Sequence, residues 1–154
     1  MQPIRILFNS ISGNTRSFIN HITEYAKEQN AENAENPLID SVEISDLTDF
    51  ADETQDYFVF VPTYLDGGNG VDNGVKELMT NALGEYITYN ENGRHVLGVV
   101  GSGNRNFNEQ YILTARRYAQ ATGSEVIADY ELRGTPKDFA RIYAILKKYQ
   151  TLNA

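Results

Sequence analysis

The stretch IRILFNSISGNT, residues 4–15, decides the reading of the fold. Its first five residues form a short apolar run, and polar residues with a glycine follow at once. That is the pattern of a buried strand ending in a loop. Just downstream, Phe18, Ile19, Ile22, Tyr25 and Ala26 fall at spacings that place them on one face of a helix. Strand, loop of small polar residues and helix in direct succession form the opening unit of a parallel α/β sheet.

The unit recurs along the chain. Residues 30–36 are polar, rich in Asn, Glu and Ala, and stop at Pro37, which predicts a solvated connection. Residues 41–45 (SVEIS) alternate, as a strand near an edge would. Residues 46–56 are acidic and leave room for a short helical turn. Residues 57–61 (YFVFV) are apolar without alternation, as expected of a central parallel strand covered on both faces, and Pro62 ends it. A glycine-rich loop runs to Gly74, and Val75, Leu78, Met79 and Ala82 then stand at helical spacing. Residues 96–100 (VLGVV) predict a fourth strand. Tyr111, Ile112, Ala115, Tyr118, Ala119 and Thr122 predict a helix that Gly123 caps. Residues 125–132 give a fifth strand. Thr135 as N-cap and Pro136 at the first helical position open a last helix, with Phe139, Ile142, Tyr143, Leu146 and Tyr149 on its apolar face. Five strands alternating with helices predict one α/β domain over residues 1–154. Its parallel sheet would have strand order 2-1-3-4-5 and helices on both faces.

Composition narrows the function. A chain of 154 residues can bury roughly 70% of its unfolded surface, so a full core needs no staples. Without a single cysteine, disulfides, iron–sulfur clusters, thiolate zinc sites and thiol catalysis are all excluded. The formal net charge of −8 repels phosphate backbones and anionic membranes, which argues against nucleic acid and favours a basic protein patch as partner. The amino-terminal residues lack the pattern of a signal peptide and no apolar run is long enough to span a membrane, so a cytoplasmic location is expected. His21 and His95 are far apart in sequence and neither has a carboxylate cluster at ligand spacing, so no metal site is expected.

In sheets of this order ligands bind beyond the carboxyl ends of the strands, where the loops after strands one, three and four converge. Those loops are NSISGNT (residues 9–15), PTYLDGGNGVDNG (62–74) and GSGNRNF (101–107), all rich in Gly, Asn, Ser and Thr. The first leads straight into a helix, and its hydroxyls and amides suit a phosphate. An ordinary N-cap by Ser12 or Asn14 is the other reading of that loop. It has no lysine, and neither GxxxxGK[ST] nor GxGxxG is present there, which excludes nucleotide hydrolysis and the dinucleotide fingerprint. Tyr64 is an aromatic in a flexible polar segment, able to stack on a flat heterocycle or to tuck against its own strand. Gly67 and Gly68 permit a peptide flip that could offer a carbonyl or an amide to a ring nitrogen.

Taken together, SISGNT, PTYLDGGNG, GSGNRNFNEQY and YELRGTPKD resemble the NrdI proteins, the flavodoxins associated with class Ib ribonucleotide reductase. The resemblance covers nearly the whole chain, with GNRNF its most specific piece. It implies a flavodoxin-like three-layer sandwich that binds FMN. The partner it implies is the reductase small subunit, NrdF, and an electron donor still to be identified would reduce the flavin. Reduced FMN would react with dioxygen, and the resulting superoxide would help a dimanganese centre generate the tyrosyl radical. The alternative is a general electron-transfer flavodoxin. In either case the flavin carries the chemistry and no side chain is catalytic. Carried over by position, Ser10, Ile11, Ser12, Gly13, Asn14 and Thr15 would hold the phosphate. Pro62, Thr63, Tyr64, Leu65, Asp66, Gly67 and Gly68 would flank the isoalloxazine, and Gly101, Ser102, Gly103, Asn104, Asn106 and Phe107 would line its other edge. Two features depart from the shortest members: the polar stretch 30–36, and a longer second loop that carries Asp66 and Asp72.

Overall fold

Along the chain the elements are β1 (Ile4–Phe8), α1 (Asn14–Glu32), β2 (Ile39–Glu43), β3 (Tyr57–Pro62), β4 (Leu65–Asp66), β5 (Lys76–Glu77), α2 (Ala82–Ile87), a 3-10 turn (Asn92–His95), β6 (Val96–Gly103), α3 (Leu113–Thr122), β7 (Val126–Glu131) and α4 (Pro136–Leu152). The computed structural model describes residues 2–63, 82–104 and 112–153, together with the backbone of 65–66 and 76–77. Five strands form one sheet in the order β2-β1-β3-β6-β7, and every neighbouring pair is parallel. This is the predicted 2-1-3-4-5 order.

Each face of the sheet carries a layer of helices. On one face Ile6 and Phe8 of β1 and Phe58 and Phe60 of β3 pack with Phe18 and Ile22 of α1 and with Ile142 and Leu146 of α4. On the other, Leu7, Val59 and Val61 meet Leu83 and Ile87 of α2 and Ala115 and Ala119 of α3. Because β3 is covered on both sides, all six of its residues are buried, which is why its sequence shows no alternation. Helix α3 comes very close to β6: a Cβ on Gly101 would stand 2.7 Å from the Cβ of Ala115. Any larger residue at 101 would push the helix off the sheet.

The structure moves several predicted boundaries. Helix α1 runs on to Glu32 instead of giving way at Asn30. Side-chain amides close the polar stretch behind it, with Asn36 Nδ2 donating to Gln29 O at 3.0 Å and Asn30 Nδ2 to Asn36 O at 2.9 Å. Strand β2 begins at Ile39, two residues before the alternating run, because its charged Asp40 sits on an edge strand and pairs with Arg5 at 3.4 Å. The short turn expected in residues 46–56 stands at their start, where Thr48 N–H reaches Ser45 O. Of the helical spacing from Val75 to Ala82, Val75, Leu78 and Met79 lie outside the described residues; residues 76–77 pair antiparallel with 65–66, and helix α2 covers Ala82–Ile87. Strand β6 continues through Gly103, since β3 and β7 flank Gly101 and Ser102 on both sides and supply ladder bonds that outweigh glycine's weak strand preference. Among the described residues no helix is long and apolar enough to cross a membrane.

A polar knot closes the amino ends of β1 and β3. Glu53, its side chain only 6% exposed, accepts from Arg5 Nε at 2.8 Å and from the Tyr86 hydroxyl at 2.7 Å. Asn92 binds Glu53 N–H, Ala51 O and Tyr86 O, and its own carbonyl accepts from the Tyr57 hydroxyl. Burial alone would push the Glu53 carboxyl up, but the hydrogen bonds from Arg5 and Tyr86 outweigh it and hold the group below the usual carboxylate range. Burial, reinforced by Glu53, raises the Tyr86 hydroxyl to about 12. A carboxylate whose folded pKa is depressed stabilises the fold above its unfolded pKa of about 4.3, and that stability is lost as pH falls through the folded value. Glu53→Gln is therefore expected to cost roughly 3 kcal/mol at neutral pH. Urea denaturation should show the gap to wild type narrowing as pH drops below about 4; a gap that stays constant would mean that the pair carries no charge-dependent stability.

Candidate ligand site at the carboxyl edge of the sheet

Strands β1, β3 and β6 are consecutive in the sheet, so the loops that follow them leave from one edge. Asn9, buried at the end of β1, donates from Nδ2 to Ile44 O at 3.2 Å and so anchors the start of the first loop to the exit of β2. Ser10 Oγ accepts from Arg16 N–H at 3.3 Å; Ile11 and Ser12 are exposed. Gly13 then turns the chain into α1 with φ +94°. A Cβ there would meet nothing within 4 Å, so the left-handed φ and not lack of space requires glycine. As the N-cap residue, Gly13 offers α1 no side-chain cap. The first-turn amides of α1 thus lack a capping side chain at that position, and the helix end carries partial positive charge.

Thr15 lies in that turn. Its side chain is fully buried, and its Oγ1 has no hydrogen-bond partner among the described residues. Such a hydroxyl costs about 1–3 kcal/mol unless something outside the chain satisfies it. Arg16, the cation of the loop sequence, turns away instead: its Nε and Nη2 donate to the two carboxylate oxygens of Glu43 at 2.9 and 2.8 Å.

Buried Thr63 stands at the end of β3. Its N–H donates to Ser102 O at 2.8 Å, and its Oγ1 accepts from Thr114 N–H at 2.9 Å, capping α3 across 51 residues. Pro62 pairs with buried Ser102 in the ladder. Gly101 lies beneath Ala115 and Ile112 as a packing residue, and Gly103 O accepts from Leu132 N–H at 3.0 Å. Asn104 follows, half-exposed at the end of β6. The backbone of Leu65 and Asp66 forms β4. Tyr64, Gly67, Gly68, Asn106 and Phe107 lie outside the described residues, as do Asp72 and Arg105.

One neighbour of the first loop escapes the sequence reading. Arg133, in the turn between β7 and α4, donates from Nε to Asn14 Oδ1 at 3.1 Å across 119 residues. Two left-handed residues shape its turn, Leu132 at φ +54° and Gly134 at φ +73°, and a Cβ on Gly134 would lie 2.7 Å from the ring of Phe18. The RGT triplet before a helix was the available signal, but nothing in it points to a loop so distant in sequence.

The NrdI flavodoxin-like family model matches residues 6–144. The chain belongs to this family. A protein of Streptococcus pneumoniae strain R6 described as NrdI-like is 42% identical over 150 residues, covering 95% of this chain and 94% of that one. One of Streptococcus pyogenes serotype M3, also described as NrdI-like, is 42% identical over 147 residues, covering 95% and 89%. Among solved structures, a short-chain flavodoxin associated with a non-canonical PDU bacterial microcompartment superposes with a TM-score of 0.65 at 19% identity over the whole of both chains, a likeness of fold.

Replacing Thr15 by valine removes the orphaned hydroxyl at nearly constant volume. In ligand-free protein this is expected to leave stability unchanged or to raise it by about 1 kcal/mol in urea denaturation. A loss larger than that would show that the hydroxyl has a partner within the protein.

Proposed function

We propose that this chain binds FMN at the carboxyl edge of its sheet and serves as the redox partner of a class Ib ribonucleotide reductase small subunit. The observation that carries the reading is the helix start at Gly13, an N-cap residue with no capping side chain of its own, with a buried Thr15 hydroxyl in its first turn that is unsatisfied among the described residues. It stands on the loop edge where sheets of this order bind ligands, in a chain of the NrdI family.

The residues present fit a phosphate monoester. The hydroxyls of Ser10, Ser12 and Thr15, the amide of Asn14 and the backbone N–H groups from Gly13 onward offer neutral donors to its oxygens. Neutral donors suit a phosphate group held without a lysine in the loop. Ile11 would lie beside them. Thr63, Tyr64, Leu65, Asp66, Gly67 and Gly68 would flank the ring system behind Pro62. Ser102, Gly103, Asn104, Asn106 and Phe107 would line its other side, and Gly101 lets α3 settle close behind them. When bound, FMN supplies electron transfer to a protein or to dioxygen, with superoxide as the product that leaves for the metal centre. The protein's share is to hold the phosphate, fix the ring between its second and third loops, and present the edge to NrdF. A separate electron donor, and work in the cytoplasm, complete the proposal. The net charge of −8 favours basic patches on both partners.

The test is radical assembly. Reduced protein is mixed anaerobically with manganese-loaded small subunit, dioxygen is admitted, and the tyrosyl radical is read by electron paramagnetic resonance. Radical well above the level reached without this protein is expected. An equal yield in both samples would remove the reductase role and leave a general electron carrier.

A further inference from the structure

The first turn of α1 carries one cation, Arg16, whose charge Glu43 of β2 balances by accepting from its Nε and Nη2. Arg133 arrives from the opposite side. Its Nε donates to Asn14 Oδ1 at 3.1 Å, and among the described residues neither Nη has a hydrogen-bond or ion-pair partner. An arginine can only donate, so the Asn14 atom that faces it must be the oxygen. The amide nitrogen of Asn14 is thereby left as a donor, and it too lacks a protein acceptor among the described residues. Beside this pair lies the buried Thr15 hydroxyl without a partner, in the same helical turn. The turn that carries Arg133 is itself fixed: Leu132 N–H bonds Gly103 O at the end of β6, and Gly134 lies against Phe18 of α1. The nearby Asp138 carboxylate is engaged by Thr135 N–H at 2.9 Å and by Arg141 at 2.8 Å, so it does not neutralise Arg133.

Building on the FMN reading, we infer that Arg133 is a phosphate-recognising residue of this chain, which orients the Asn14 amide and offers its free guanidinium nitrogens to the phosphate oxygens of the ligand. It adds the positive charge that the loop itself lacks, and it acts on the phosphate alone, not on the ring. Its contribution therefore separates FMN from riboflavin, which has the same ring and no phosphate.

The experiment measures dissociation constants of FMN and riboflavin for ligand-free wild type, Arg133→Gln and Arg133→Lys, by quenching of flavin fluorescence. Arg133 is exposed, and a melting curve of each ligand-free variant confirms that it is folded. Arg133→Gln is expected to weaken FMN about tenfold, the effect of losing one charge-assisted contact, while riboflavin changes less than about twofold. The salt dependence of FMN binding should flatten in Arg133→Gln and persist in Arg133→Lys. Equal effects on both flavins, or none on either, would overturn the role of Arg133 and leave FMN binding standing. If wild type binds no FMN, the cofactor reading fails, and thermal stabilisation by inorganic phosphate decides the matter. Stabilisation of wild type but not of Arg133→Gln supports an anion site at Arg133; equal or absent stabilisation overturns it.

Discussion

The position of Phe18 is the constraint on which the geometry of the site depends. This ring, one turn into α1, is fully buried and stacks on Tyr130 of β7 with centroids 3.8 Å apart. It meets the edge of Phe139 of α4 at 5.2 Å and tilts against Phe60 of β3 at 6.0 Å. Burying one such ring stabilises a fold by about 1.5–3 kcal/mol, and favourable aromatic geometry adds about 0.5–1.5 kcal/mol. More important is what the ring locates. It fixes the start of α1 over the central strand, and its contact with Gly134 brings the β7–α4 turn alongside the same helix end. The first loop and the last turn, more than a hundred residues apart, become neighbours through one side chain.

Charge is distributed to match. The knot of Arg5, Glu53, Tyr86 and Asn92 lies at the amino ends of the strands, away from the ligand edge, and its carboxylate is satisfied within the protein. At the carboxyl edge the donors of the first loop are hydroxyls and amides, and Arg16, in the first turn of α1, is paired with Glu43. An anion placed there interacts with a helix end and neutral dipoles, and with Arg133, whose terminal nitrogens have no partner among the described residues. Thr15 shows the same bias from the side of stability. A buried hydroxyl left unsatisfied among the described residues is a cost to the empty fold, and such costs concentrate where a ligand offsets them.

Most of the fold was legible because its signals are local. The apolar runs at 4–8, 57–61 and 96–100 mark strands buried on two faces, and the Thr135–Pro136 pair marks a helix start that the structure bears out as a capping box with Asp138. The parallel order follows once strands and helices alternate. What misled the reading was geometry set by partners. Gly101 and Ser102 look like loop residues until β3 and β7 are seen to flank them, and Val75 to Ala82 keeps helical spacing although residues 76–77 pair with 65–66. Arg133 was invisible for the same reason, since its hydrogen bond to Asn14 crosses 119 residues. The hydrogen bond by which Thr63 Oγ1 accepts from Thr114 N–H in the first turn of α3 likewise spans 51 residues and leaves no mark in the local sequence.

The central claim is that the loop edge between β1, β3 and β6 takes FMN. Absorbance spectroscopy of the purified protein tests it most directly, by quantifying flavin released on denaturation after the protein has been saturated with FMN and freed of excess. The account predicts a yellow protein that releases about one FMN per chain, with a visible spectrum shifted from that of free flavin while bound. A colourless protein that retains no flavin after this treatment would contradict it.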